Sequence, residues 1–365
     1  VNRWVARLTA ALLTLAGFLT ASAQPPPPGK AVIELLDVGQ GDAILIRSPE
    51  GKAALVDAGP SRAVVDRLRE TGLQSLDLVV VTHHHADHYG GMLEVIRQFP
   101  PRYFLATESR RSTGLYVRLL EAVAASDITP VYPWHDRPRT IHLGSVLLTV
   151  LPQPPEDLQE ENENSIGLRV SYGDLHVLLT GDSQRRARRY WLQNCPDLIA
   201  DCQILKLAHH GSHNGTDPLW LDVVRPRVAI VSLGAGNPYG HPHPQVLQLL
   251  AEYRIPLLRT DQRGTIRIET DGRRTDITGQ RPAFTLASSS LPSRRNTQTR
   301  PLADGPRLNL NTASRRQLER ILGLNPATSA AIIRNRPFRS LDELEDLDLF
   351  TPDQLTRIGS RTVVR

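Results

Sequence analysis

The sequence predicts a layered α/β domain followed by a small all-α unit, and three observations carry that prediction. From residue 31 to residue 270, short β-rich runs alternate with helical stretches, and several of the runs come in hairpin-like pairs. Residues 271–305 lose periodicity and fill with Arg, Thr, Ser, Gly and Pro, the composition of a flexible linker. Residues 306–365 resume a helical pattern. A hydrophobic fraction of 40% supports a sizeable core, and 22% charged residues exclude general disorder. At 365 residues there is room for one large domain and one small one.

Taken in order, residues 1–23 read as a secretory signal peptide. Arg3 and Arg7 give a basic start, Leu8 to Leu19 is apolar, and Ala21-Ser22-Ala23 is a small-x-small cleavage pattern. The apolar run is short for a bilayer, so cleavage would leave no stable span and an uncleaved anchor is the alternative. The expected location is secreted, periplasmic or cell-surface. Pro25 to Pro28 stiffen a spacer over 24–30. Strands are expected at Val32–Leu36, Ala43–Arg47, Ala53–Val56, Leu78–Val81, Val146–Leu151, Ile166–Tyr172, Leu175–Leu179 and Gln203–Leu207. Helices are expected at Ser61–Thr71, Met92–Phe99, Leu115–Ala125, Gln184–Gln193 and Pro244–Tyr253. In the last unit, Leu318–Arg336 reads as helix, tight turn at Leu322-Gly323-Leu324-Asn325-Pro326, then helix. Pro326 suits a first helical position and Asn325 tolerates a left-handed backbone.

The formal charge of +5 weakly favours an anionic partner. Lys30, Lys52 and Lys206 are the only lysines; the arginine excess fits a coding bias better than selection for phosphate geometry. Cys195 and Cys202 are the only cysteines. In an oxidising compartment they would close a small loop, and otherwise they stay reduced and buried.

The chemistry is concentrated in Thr82-His83-His84-His85-Ala86-Asp87-His88, which follows the apolar Leu78-Val79-Val80-Val81. Alternate residues of an extended segment point the same way, so His83 and His85 can face one metal. Asp87 and His88 come where the chain must turn and can serve a second. Imidazole and carboxylate together suit zinc, manganese or iron.

That H-x-H-x-D-H spacing resembles the signature of the metallo-β-lactamase superfamily. The opening Asp37-Val38-Gly39-Gln40-Gly41-Asp42-Ala43 and Asp57-Ala58-Gly59 narrows the resemblance to the soluble hydrolase domain of ComEC-type DNA-uptake proteins. Asn164-Ser165, Leu178-Leu179-Thr180-Gly181-Asp182, Lys206-Leu207-Ala208-His209-His210-Gly211-Ser212 and Asn237-Pro238-Tyr239-Gly240-His241-Pro242-His243-Pro244 follow in the same order. The resemblance implies an αββα sandwich over 31–270 with two divalent ions, zinc or manganese, at one edge of its sheets. It implies Asp182 as a bridging carboxylate and one of His209 and His210 as a further ligand, with His210 slightly behind. Asp87, Lys206 and His241 are the candidate catalytic groups, His241 as general acid and Lys206 as a cation for the phosphoryl oxygens. Asn164, Ser165, His213 and His243 are candidate substrate contacts. Asp57 is expected to buttress the histidine loop, and His84 to point away from the metals. A third histidine for the first metal is missing: His135, His142 and His176 sit in no fitting motif.

The tail, 306–365, resembles the ComEA-type helix-hairpin-helix module, which binds duplex DNA through phosphates. Leu308-Asn309-Leu310-Asn311-Thr312-Ala313-Ser314 and Arg334-Asn335-Arg336-Pro337-Phe338 carry the match. Gly323, Asn325, Arg315, Arg316, Arg320, Arg334, Arg336 and Arg339 are the candidate DNA contacts. Asn325 stands where the module usually has glycine, and the second turn, Leu347-Asp348-Leu349-Phe350-Thr351-Pro352, has none. The expected function is a secreted, metal-dependent phosphodiesterase acting on DNA, with a possible link to a DNA-uptake apparatus. The alternatives are a hydrolase of a phosphorylcholine ester, lactone or thioester, and a non-catalytic DNA-binding protein.

Overall fold

Alternation along the strands builds two sheets that face each other. The computed structural model describes residues 29–107, 113–157, 159–281 and, in the tail, 308–322, 324, 326–338, 344, 358 and 362–363. The expected signal peptide lies outside these residues. The strands in chain order are β1 (Ala31–Leu35), β2 (Ile44–Arg47), β3 (Ala53–Val56), β4 (Leu78–Val80), β5 (Tyr103–Leu105), β6 (Thr129–Val131), β7 (Arg139–Leu143), β8 (Val146–Val150), β9 (Leu168–Tyr172), β10 (Leu175–Leu179), β11 (Ile204–Lys206), β12 (Val228–Val231), β13 (Leu257–Arg259), β14 (Ile266–Thr270) and β15 (Thr275–Gly279). One sheet has the order β15-β14-β1-β2-β3-β4-β5-β6, the other β13-β12-β11-β10-β9-β8-β7.

Ile33, Leu35, Ile44, Ile46, Val56, Leu78 and Val80 of the first sheet join Leu148, Val150, Leu168, Val170, Val177, Leu179 and Ile230 of the second in one buried core. The intervening residues face outward. Leu45, Leu55 and Val79 pack under α1 (Ala63–Glu70), α3 (Met92–Gln98) and α4 (Gly114–Ala124); the short α2 (Ala86–Tyr89) lies between α1 and α3 in the chain. Leu178, Leu205, Ala229 and Val231 pack under α5 (Arg185–Asn194), α6 (Pro196–Ile199), α7 (Pro218–Val224) and α8 (Pro244–Glu252). Period two in the strands therefore gives each sheet a shared inner face and a helix-covered outer face. The result is the expected αββα sandwich.

Three of the strands the pattern does not single out share a cause. β5, β12 and β13 are three or four residues long and pair in parallel. A parallel strand buried on both faces shows no alternation to read. Residues 271–281, expected as the start of the linker, instead form a turn and β15, which pairs antiparallel with β14 in the register Ile268↔Ile277. Thr275 is buried and Asp276 exposed there, so a real alternation is hidden by polar residues.

In the tail, α10 (Arg315–Leu322) and α11 (Pro326–Arg334) form the expected hairpin, with Pro326 opening its helix. Leu310, Leu318, Leu324, Ile332 and Phe338 form its own small core. A two-residue pairing of β16 (Leu308–Asn309) with β17 (Thr362–Val363) joins its ends. Among the described residues, no helix is long and apolar enough to cross a membrane.

Candidate metal centre

The parallel pairings β3–β4 and β10–β11–β12 aim several strand ends in one direction. Such carboxyl ends are where open α/β sheets build sites. Asp57 follows β3, the His run follows β4, Asp182 follows β10, His209-His210 follow β11, and Ser232 follows β12. The chain bends at His83 and His84, is extended again at His85 and then turns into α2, whose first turn carries Asp87 and His88.

One ligand atom from each of Asp87, His88, Asp182 and His210 lies within 4.8 Å of the others. His210 Nε2 is 3.2 Å from Asp87 Oδ2 and 3.4 Å from Asp182 Oδ2. His88 Nε2 is 3.2 Å from the same Asp182 oxygen but makes no hydrogen bond, and Asp182 Oδ1 is likewise buried without a partner. Buried polar atoms normally find partners; two imidazoles and two carboxylates converging with spare valence fit a divalent cation. The remote ring atoms agree. His88 Nδ1 lies 2.7 Å from Asp57 Oδ2, and His210 Nδ1 lies 2.9 Å from the Ser232 carbonyl. A metal-binding imidazole usually donates its other N–H to such a group.

The electrostatics favour a positive guest. Burial opposes charge on His88, yet Asp182 and Asp57 outweigh it and hold the imidazole well above its ordinary range. Burial also opposes charge on His210, where Asp182, Asp87 and Asp42 prevail. Asp182 is kept well below the usual carboxylate range, against its burial, by His210, His88 and Lys206.

His83 and His85 also meet, with Nε2 of the first 3.1 Å from Nδ1 of the second. The His83 and His88 rings are 4.2 Å apart. Among the described residues no group of three or more ligands includes His83 or His85. His84 faces the other way: its ring lies 4.0 Å from that of Tyr116, and its backbone N–H donates to Glu161.

Local backbone shape serves the cluster. His209 and His210 adopt φ of 51° and 52°, in the left-handed region, at a cost of about 1–2 kcal/mol each. That turn re-aims His210 into the acidic group while His209 bonds Asn214 instead, Nδ1 to Oδ1 at 3.2 Å. The geometry therefore brings in His210, reversing the sequence preference for His209. Gly181 (φ 52°) must be glycine for a second reason, because a Cβ there would meet Thr82 Oγ1 at 2.9 Å and Ser165 Oγ at 3.0 Å.

Several expected roles change. Lys206 is buried, ion-paired with Asp42, 3.1 Å from the Gly181 carbonyl and 3.7 Å from Asp182. It neutralises the acids from behind and does not face a substrate. Asn164 and Ser165 are buried too. Asn164 bonds Asp157 and Glu161, and Ser165 Oγ accepts from the Asp182 N–H at 3.1 Å, so both brace loops rather than offer contacts. His241 sits nearby, 5.6 Å from His209 and 6.4 Å from His210 between ring centroids, with a buried, unpartnered Nδ1. Burial and the neighbouring His209, His243 and His210 push its pKa down to about 4. A neutral imidazole at pH 7 offers a hydrogen bond, not the readily released proton of an imidazolium acid. His213 is exposed and His243 half-buried; they pair with each other, Nδ1 to Nδ1 at 3.1 Å. Asp57 takes the expected supporting place, accepting from Thr82 N at 2.8 Å and Thr82 Oγ1 at 2.7 Å. Cys195 and Cys202 are free and buried, with pKa values pushed up by burial to about 12 and about 11.

Asp42 is the site residue that sequence reasoning passes over. It is buried, pairs with Lys206, and comes within 3.6 Å of His210 Nδ1. An acid after the closely spaced Gly39 and Gly41 was the available signal. Gly41 takes φ 135°, and a Cβ there would run into the Asp87 carbonyl, so the loop can press Asp42 against the His turn only as glycine.

In the tail Arg316 and Arg334 are exposed, as expected of phosphate contacts. Arg315 is exposed and bonds Glu319 at 2.8 Å. Arg336 departs: its Nη2 donates to the Ala313 carbonyl at 2.6 Å, tying the hairpin to its opening segment. Gly323, Asn325, Arg339 and the Arg320 side chain lie outside the described residues.

The family described as Metallo-beta-lactamase superfamily matches residues 36–235, and that described as Helix-hairpin-helix motif matches 304–361. The chain is 28% identical over 267 residues to ComE operon protein 3 of Bacillus subtilis (strain 168), covering 66% of this chain and 33% of that protein. It is 28% identical over 260 residues to Competence protein ComA of Neisseria gonorrhoeae, covering 70% and 35%. Recombination protein 2 of Haemophilus influenzae (strain ATCC 51907 / DSM 11121 / KW20 / Rd) is 29% identical over 260 residues, covering 69% and 30%. The match thus spans about a third of the length of these relatives. The chain belongs to the metallo-beta-lactamase superfamily, with ComEC-type proteins as relatives and a helix-hairpin-helix motif after its hydrolase fold.

Proposed function

We propose that this protein is an exported, metal-dependent phosphodiesterase that cleaves DNA. The observation that carries the reading is the convergence of Asp87, His88, Asp182 and His210, with both imidazoles braced from behind by Asp57 and the Ser232 carbonyl. These four would hold one divalent ion, and His83 with His85 would contribute to a second. Zinc or manganese bound there would acidify a water and draw charge off the phosphoryl oxygens. Asp182 reaches both imidazoles of the four-residue group, so its carboxylate is the natural shared ligand. Lys206 pairs with Asp42 and helps keep Asp182 ionised without touching substrate. His241 stays neutral, and with its Nδ1 buried it is the other ring nitrogen that would meet the reacting group or its leaving oxygen.

Two further points support DNA as the substrate. The names of two relatives refer to competence and recombination, and a helix-hairpin-helix motif follows the hydrolase fold. Exposed Arg316 and Arg334 would contact phosphates of a duplex. A role beside a DNA-uptake apparatus, or in processing external DNA, fits this pairing.

The test is cleavage of linear duplex and single-stranded DNA by protein starting at residue 24, with Mn²⁺, Zn²⁺ or EDTA. Activity should require metal and fall at least about a hundredfold in Asp87→Ala, which removes a ligand from the cluster. Metal-dependent turnover of a lactone or thioester, with DNA untouched, would replace the nuclease reading by an esterase one. DNA retardation without any turnover would leave a binding protein.

A further inference from the structure

Tyr239 is 61% exposed. A single exposed apolar side chain is ordinary; the setting of this one is not. Its ring lies nearly parallel to that of His241, 25° between planes and 5.7 Å between centroids. His241 in turn neighbours His209 and His210, so Tyr239 forms the outer end of a row of rings that leads to the candidate metal group.

The loop beneath it is pinned at several points. Asn237 Nδ2 donates to the His241 carbonyl at 2.8 Å and to Gly234 O at 3.2 Å, and Asn237 Oδ1 accepts from His241 N at 3.0 Å. The His243 N–H donates to Gly211 O at 2.9 Å, and His243 Nε2 lies 3.2 Å from the Tyr239 carbonyl. A flat ring held this way, with its back against an imidazole, needs little further ordering when something stacks on it. Every nucleobase has a π-face, so a tyrosine platform accepts any base and reads no sequence.

We propose that Tyr239 is the stacking platform for an unpaired nucleobase beside the scissile phosphate, an inference that rests on the DNA phosphodiesterase reading. Inside a duplex both faces of a base are covered by its neighbours, so the platform favours single-stranded segments and frayed ends. Tyr239 is thus a positioning residue that holds the strand while the cluster acts on the adjacent phosphate.

The experiment uses the full chain and single-stranded oligonucleotides in which one abasic position is moved along the strand. Wild-type kcat/KM should fall about tenfold when the missing base is the one that stacks. Tyr239→Ala should fall by a similar factor on the intact strand and then be indifferent to the abasic position. Tyr239→Phe should keep both the rate and the sensitivity, which also separates lost stacking from lost folding. Binding of an oligonucleotide carrying 2-aminopurine in EDTA gives a second readout, with fluorescence quenched by wild type and by Tyr239→Phe but not by Tyr239→Ala. A wild-type enzyme that cleaves DNA but gives a flat abasic scan overturns the platform alone. Equal losses for Tyr239→Ala on intact and abasic strands do the same. Wild type that cleaves no DNA overturns the underlying function and the platform with it.

Discussion

Asp57 is buried behind His88, facing its Nδ1 at 2.7 Å while accepting two hydrogen bonds from Thr82. One carboxylate therefore fixes both the start of the His run and the ring that the run presents. Asparagine at 57 would preserve much of the shape, with its carbonyl in the place of Oδ2 still accepting from Thr82 Oγ1 and His88 Nδ1, but it loses the bond from the Thr82 N–H and removes the charge. Asp57→Asn should fold normally and bind Zn²⁺ or Mn²⁺ about ten- to a hundredfold more weakly, measured by competition with a chromophoric chelator. Unchanged affinity would reduce Asp57 to a scaffold. This role was legible in the sequence, because an acid at the end of an apolar strand beside a His loop has few other uses. The roles of Lys206 and Asn164 were not. Their motifs mark them as special, but only packing reveals that Lys206 is spent on Asp42 and Asn164 on its own loop. The choice of His210 over His209 depends on two left-handed backbone conformations, which no side-chain pattern announces.

At the scale of elements, several alternating strands were readable, as were the short parallel Leu78–Val80 and Ile204–Lys206 that lead into the histidine motifs, while other short strands were not. Val146–Val150 and Leu175–Leu179 declare an inner face, whereas Tyr103–Leu105 and Leu257–Arg259 are too brief to declare anything. The links between elements were less legible still. Glu50, in the turn after β2, reaches the turn between β7 and β8, accepting from Ser145 N at 3.1 Å and so joining the two sheets at one end. Hydrogen bonds from Ser145 and Ser48 hold its carboxyl down to about 2, from an ordinary 4.5. A depressed carboxylate pKa stabilises the fold above the unfolded value, and the gain is lost as pH falls through the folded value. Glu50→Gln should therefore lower Tm by roughly 1–3 °C at neutral pH, a small effect because the group is exposed. The gap to wild type should close as pH drops from 4.5 to about 2. A gap that persists unchanged at pH 2 would mean that the link does not depend on charge.

The whole molecule joins a hydrolase fold with a candidate metal centre to a helix-hairpin-helix motif. The hydrolase fold supplies its own ion-attracting centre from strand ends, and the tail has a separate core of Leu310, Leu318, Leu324, Ile332 and Phe338. Tethering a DNA-binding module to a hydrolase raises the local concentration of substrate without altering the chemistry. The two functions should then separate cleanly. Replacing exposed Arg316 and Arg334 together by serine, in the full chain, should weaken duplex binding and raise KM for long DNA. Each lost phosphate contact lowers the slope of log affinity against log salt by about 0.9 on duplex DNA, so the double variant should lose about 2 units of slope. Its kcat on a short single-stranded oligonucleotide should stay within about twofold of wild type, because no tail contact is needed to reach the centre. Binding isotherms between 50 and 200 mM salt, roughly the range over which such contacts lose their strength, would read the slope, and steady-state kinetics the split between KM and kcat. An unchanged slope would assign these arginines to an ordinary solvated face. A fall in kcat on the short strand would instead mean that the tail shapes the catalytic centre itself.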